Sequence, residues 1–122
     1  MLLNCNELIK ICNAQIEYVK SKNNNSDSSR LCIDAYSTII KFIEEAENLK
    51  VDSKSCNDFI ANKCINALGK IPESNIEIAD IWTNIEIADI WNSAMLNIWN
   101  ISTTDVDDMS PKQREYINSV IN

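Results

Sequence analysis

Thiols and carboxylates are the side chains with which this chain could do chemistry, because its 122 residues include no histidine. The thiols stand at Cys5, Cys12, Cys32, Cys56 and Cys64. Structural zinc is held by closely spaced cysteine pairs or by cysteine mixed with histidine. There is no CxxC, so no metal centre is expected. An odd count with no close pair is also a poor disulfide framework. The expectation is reduced thiols, most of them buried, acting as small hydrophobes.

Without histidine the commonest general base is missing, and neither a Ser/His nor a Cys/His nucleophile can be assembled. The single glycine, Gly69, cannot supply a GxGxxG or GxxxxGK[ST] phosphate loop. Two carboxylates can divide acid and base work, but only when the fold sets them side by side. The chain therefore reads as a non-enzyme without a cofactor. Asp105, Asp107 and Asp108 in STTDVDDMS resemble the opening of a calcium loop, yet the required glycine and closing bidentate glutamate are missing. A capping and turn role is expected of them instead.

The carboxylates are unevenly spread. Residues 71–111 carry eight acids (Glu73, Glu77, Asp80, Glu86, Asp89, Asp105, Asp107, Asp108) and no lysine or arginine, a charge of −8. The remainder holds ten acids and eleven bases, so one third of the chain accounts for the whole net charge of −7. All three tryptophans (Trp82, Trp91, Trp99) lie in the same third. Such a surface repels nucleic acid and anionic lipid and suits a basic protein, with tryptophan as an anchor. The expected partner-binding residues are Glu77, Asp80, Trp82, Glu86, Asp89, Asp105, Asp107 and Asp108. An equally weighted alternative is that the acids keep an isoleucine-rich segment soluble and the tryptophans are core.

Helices must position these groups. One glycine and two prolines are too few for the turns of a β-sandwich or barrel. Cys5, Leu8, Cys12, Ile16 and Val19 form one helical stripe over about residues 3–21. A polar loop is expected over about 21–28. A second helix starts near Asp27–Ser29 and ends near Lys50, with Cys32, Ala35, Ile39, Ile43 and Ala46 facing inward and Tyr36 and Phe42 flanking. A third carries Cys56, Phe59, Ile60, Cys64, Ala67 and Leu68 and stops at Gly69, ahead of Pro72. Ser110, Pro111 and Gln113 begin a last helix, 112–121, presenting Tyr116, Ile117, Val120 and Ile121.

Residues 75–91 read NIEIADIW-T-NIEIADIW, one octet written twice. Ser74 with Glu77, and Thr83 with Glu86, each match a capping box. The nine-residue repeat spans two and a half helical turns, so in one continuous helix the two copies would face opposite ways. We therefore expect a break near Thr83: a short helix 75–82 at the edge, and a longer one, 84–101, whose Ile87, Ile90, Trp91, Ala94, Ile98 and Ile101 enter the core. Trp82-Thr-Asn-Ile85 also resembles the short W-x-x-[IL] ligands of autophagy receptors, but an extended peptide conflicts with a helix there.

The sequence thus implies a single all-α domain over 1–122, a bundle of about five mostly antiparallel helices. No run of roughly eighteen apolar residues spans a membrane, and MLLNCNELIKICN lacks the basic start and unbroken apolar core of a signal peptide. A cytoplasmic protein is expected. The expected function is a small acidic protein that binds and neutralises a basic partner, of immunity or inhibitor type, for example against a nuclease toxin. The alternatives are a helical adaptor or self-assembling homo-oligomer, and a bundle that binds a small molecule.

Overall fold

The computed structural model describes residues 1–22, 27–71 and 84–122, the side chains of 27 and 84–87 excepted. Among these residues the protein is all-helical: α1 (Cys5–Ser21), α2 (Asp27–Asn48), α3 (Ser53–Asn66), α4 (Asn84–Thr103) and α5 (Pro111–Ile121), with a 3-10 turn at Val106–Asp108. The five helices enclose one apolar core. No described helix is long and apolar enough to cross a membrane.

Local chemistry accounts for the helix ends. Helix α1 begins at Cys5, the first residue of its apolar stripe and two residues later than the expected start at 3, because Asn4 caps it. The Asn4 side chain accepts from the Glu7 N–H at 2.8 Å, and Glu7 accepts from the Asn4 N–H at 3.0 Å. That reciprocal box satisfies two donors the helix cannot satisfy internally. Leu3 before the cap and Leu8 after it are both buried, at the positions of a hydrophobic staple. Asp52 caps α3 through the Ser55 N–H, and Ser110 caps α5 through the Gln113 N–H with Pro111 in the first turn. Helix α2 ends at Asn48, two residues short of the expected end, where Lys50 takes a left-handed conformation with φ 53°. Gly69 does the same after α3 with φ 73°, at no steric cost.

Packing follows the stripes with corrections of one helical position. In α2 the buried residue is Leu31 and not Cys32, which is only half-buried, and Tyr36 joins the core. In α1, Ile11 is fully buried, whereas Cys5 and Val19 lie at its margin. A stripe must be wide enough to meet two neighbours, and its centre depends on where they stand. Tyr116, expected on the inner face of α5, is exposed; its hydroxyl accepts from the Gln15 amide of α1. The Lys10 ammonium also donates to the Ile121 carbonyl at 3.4 Å, so α1 and α5 run antiparallel. The expected polar loop is narrower than 21–28, because Ser21 closes α1 and Asp27 opens α2; residues 23–26 lie outside the described residues.

The second octet begins α4 and enters the core as expected. Trp91 is 1% exposed, and its indole Nε1 donates to the Ala67 carbonyl at 2.8 Å. Ala94, Met95, Ile98 and Ile101 continue the buried face, while Ile90 is half-buried. The first octet, the break at Thr83 and the short helix 75–82 lie outside the described residues, and the side chain of Ile87 does too.

Candidate functional site

Helices α2 and α4 lie against each other along a groove of about 480 Å³ lined by Cys32, Tyr36, Asp89, Ile90, Ser93, Ala94 and Asn97. The lining is mainly apolar, with a polar link across it: the Asn97 amide donates to the Tyr36 hydroxyl at 3.1 Å. Burial pushes the Tyr36 hydroxyl up to about 12, the Asn97 hydrogen bond working the other way, so it remains protonated at neutral pH. Asp89 stands exposed at the rim, and no lysine or arginine lines the groove among the described residues. An apolar floor under a carboxylate fits a ligand with an apolar body and a cationic end.

The expected acidic residues do not gather at one point. Asp89 lies near the beginning of α4, whereas Asp105, Asp107 and Asp108 follow its end. Fourteen helical steps from Asp89 to Thr103, at 1.5 Å each, separate the two groups by roughly 21 Å. Asp105 caps the 3-10 turn through the Asp107 N–H at 3.0 Å and pairs with the Met1 ammonium at 2.5 Å. That ammonium holds the Asp105 carboxyl below its ordinary range, with the Asp107 N–H adding to the effect. Asp105 therefore does the capping work expected of it, while Asp107 and Asp108 are exposed. Glu86 falls one turn before Asp89, but its side chain is outside the described residues, as are Glu77, Asp80 and Trp82. Among the described residues no group of three or more Cys, Asp or Glu is placed to hold a metal ion.

A second groove, about 440 Å³, opens at the beginnings of α1 and α3 and is lined by Asn4, Cys5, Asn6, Glu47, Val51, Ser53, Cys56 and Asn57. Asn57 is the buried polar residue at its base. Its amide donates to the Leu3 carbonyl at 2.9 Å and the Ser102 carbonyl at 3.1 Å, while its Oδ1 has no hydrogen-bond partner. All five cysteines are free thiols: Cys12, Cys56 and Cys64 are buried, Cys5 and Cys32 half-buried.

Periodicity placed Tyr36 only as a flanking residue and did not single out Asn97 or Asn57. Asn57 had a readable signal, because it shares a stripe with Ile60, Ala61 and Cys64 at spacings of three, four and seven. Tyr36 and Asn97 come together only when α2 meets α4, and no local pattern records that. Neither a known protein family, nor a characterised protein, nor a solved structure matches the chain.

Proposed function

We propose that the protein is a small acidic binding protein that captures and neutralises a basic partner protein, in the manner of an immunity protein or inhibitor. The observation that carries this reading is the α2–α4 groove, where Asp89 overlooks an apolar floor and no lysine or arginine lines the wall among the described residues. Its α4 wall, Asp89, Ile90, Ser93, Ala94 and Asn97, belongs to the third of the chain that has a charge of −8 and no lysine or arginine. A partner would insert an apolar side chain over Ala94 and Ile90 and set a lysine or arginine against Asp89. Opposite potentials then accelerate encounter, and the apolar contact slows release.

The test starts from the partner recovered by tagged capture from the source cells. Reversing Glu86 and Asp89 to lysine should lower the association rate by tenfold or more at low salt and flatten its salt dependence. Reversing Glu17 and Glu44, exposed on other helices, should change it far less. Equal association by both folded variants would overturn the proposal.

A second reading rests on a different observation. Leu96 (44% exposed) and Trp99 (38%) stand one turn apart on α4, where neighbours three apart share a face. Self-association through this face would appear as a dimer in sedimentation equilibrium, and Trp99→Gln would return it to monomer. A wild-type monomer at high concentration removes this reading.

A further inference from the structure

The beginnings of α1 and α3 meet at the second groove, where the Asn57 amide of α3 donates to the Leu3 carbonyl just before α1, and each of these helices carries two cysteines. Cys5 of the first turn of α1 and Cys56 of α3 line the same groove, near enough that the Cys56 thiol raises the Cys5 thiol. Deeper in the bundle, the Cys12 thiol feels that of Cys64. The pairs differ in access. Cys12 and Cys64 are both 0% exposed, whereas Cys5 is half-buried and shares the second groove with Cys56. The Cys56 thiol is already turned toward this end of the molecule, 3.5 Å from the Ala46 carbonyl and 3.7 Å from that of Val51.

We propose that Cys5 and Cys56 are a thiol pair that closes to an intramolecular disulfide, by exchange with a low-molecular-weight disulfide entering the groove. The thiolate of Cys5, the accessible partner, attacks one sulfur of the small disulfide RSSR. The S–S bond breaks, and the first RS⁻ leaves with the electron pair. The Cys56 thiol then loses its proton and attacks the Cys5 sulfur of the mixed disulfide, expelling a second RS⁻. Two protein thiols are oxidised, one RSSR is reduced to two RSH, and the two protons given up by the protein end on those thiols. The bond ties the start of α1 to the start of α3 and closes a loop of about fifty residues, long enough for a large entropic restraint on the unfolded chain.

The surroundings make this a staple and not an electron relay. Burial, reinforced by the Cys56 thiol and the Glu47 carboxylate, pushes the Cys5 thiol up to about 11. Dithiols that readily pass their disulfide on have a stabilised thiolate, which favours the reduced form. Here the surroundings on balance disfavour the Cys5 thiolate, so closure is slow at neutral pH and the closed form resists reduction. Cys32, half-buried in the other groove, has no such facing thiol there and forms at most a mixed disulfide.

The experiment uses the full chain and glutathione disulfide with reduced glutathione at pH 8.5, followed by acid quench, alkylation in denaturant and intact mass. The expected result is a species lacking two hydrogens, with three alkylated cysteines and a non-reduced peptide joining Cys5 to Cys56. Its melting temperature should rise by about 10 °C over the reduced protein, as a loop of this length implies. Cys5→Ser, at the half-exposed position, should abolish both the bond and the rise, and Cys56→Ala provides the same test from the other side. If equilibration yields only glutathione adducts, or links Cys12 to Cys64 instead, the proposal is wrong. The wild-type peptide map decides between these outcomes even if a variant fails to fold.

Discussion

The Asn57 carboxamide donates to the Ser102 carbonyl at 3.1 Å inside the core, joining the first turns of α3 to the last turn of α4. Its other amide hydrogen reaches the Leu3 carbonyl at 2.9 Å. One buried side chain thus satisfies carbonyls from two distant parts of the chain.

Replacing Asn57 by alanine should therefore lower unfolding stability by roughly 2–4 kcal/mol, since buried acceptors left unpaired cost about 1–3 kcal/mol each. Asn57→Leu restores much of the volume and separates the hydrogen-bonding loss from the cavity. Urea unfolding measures both. If the leucine variant is as stable as the parent, the two bonds contribute nothing net.

Trp91 and Trp99 should behave as opposites. Trp91 is buried and bonded to the Ala67 carbonyl, so Trp91→Phe loses a hydrogen bond and leaves a void, at about 1–3 kcal/mol. Trp99 is 38% exposed, and Trp99→Phe should change stability by under about 0.5 kcal/mol. Acrylamide quenching of the two substituted proteins should show the more accessible emission disappearing with Trp99. The reverse order would place the octet's tryptophan at the surface.

Lys50 occupies a left-handed conformation with φ 53° and a Cβ that disfavours it. Lys50→Gly should stabilise the protein by roughly 0.5–1 kcal/mol, the relief of strain exceeding the extra freedom of the unfolded glycine. Thermal unfolding reads this directly, and a loss of stability would show that the lysine side chain contributes there.

Alkaline pH should destabilise the fold through its buried acids. Burial pushes the Cys12 and Cys64 thiols up to about 12 from an ordinary 9.0, and Tyr36 up to about 12 from 10.0. Folded values above unfolded ones mean stability that is complete below pH 9 and is lost as pH rises toward 12. Each group contributes a slope of at most about 1.4 kcal/mol per pH unit. Cys12→Ala should flatten the decline between pH 9 and 11, whatever it does to stability at pH 7. An unchanged slope would mean that the thiol ionises as readily folded as unfolded.

The helical class, the inward faces and several helix ends were legible in the sequence. Each depends on residues within a few positions of one another: Ile39, Ile43 and Ala46 on one stripe, Ser110 capping Gln113, Gly69 able to adopt a positive φ. Short-range sterics and hydrogen bonding act over one or two turns, and side-chain spacing records them. The centre of each stripe, with Leu31 inside and Cys32 at the margin, was settled by which neighbours α2 meets. The same holds for the Tyr36–Asn97 link, for Asn57 between Leu3 and Ser102, and for the thiols of Cys5 and Cys56. These partners stand about forty-five to sixty residues apart. No local energy term couples them, and only the packing of whole helices around a shared core brings them within reach.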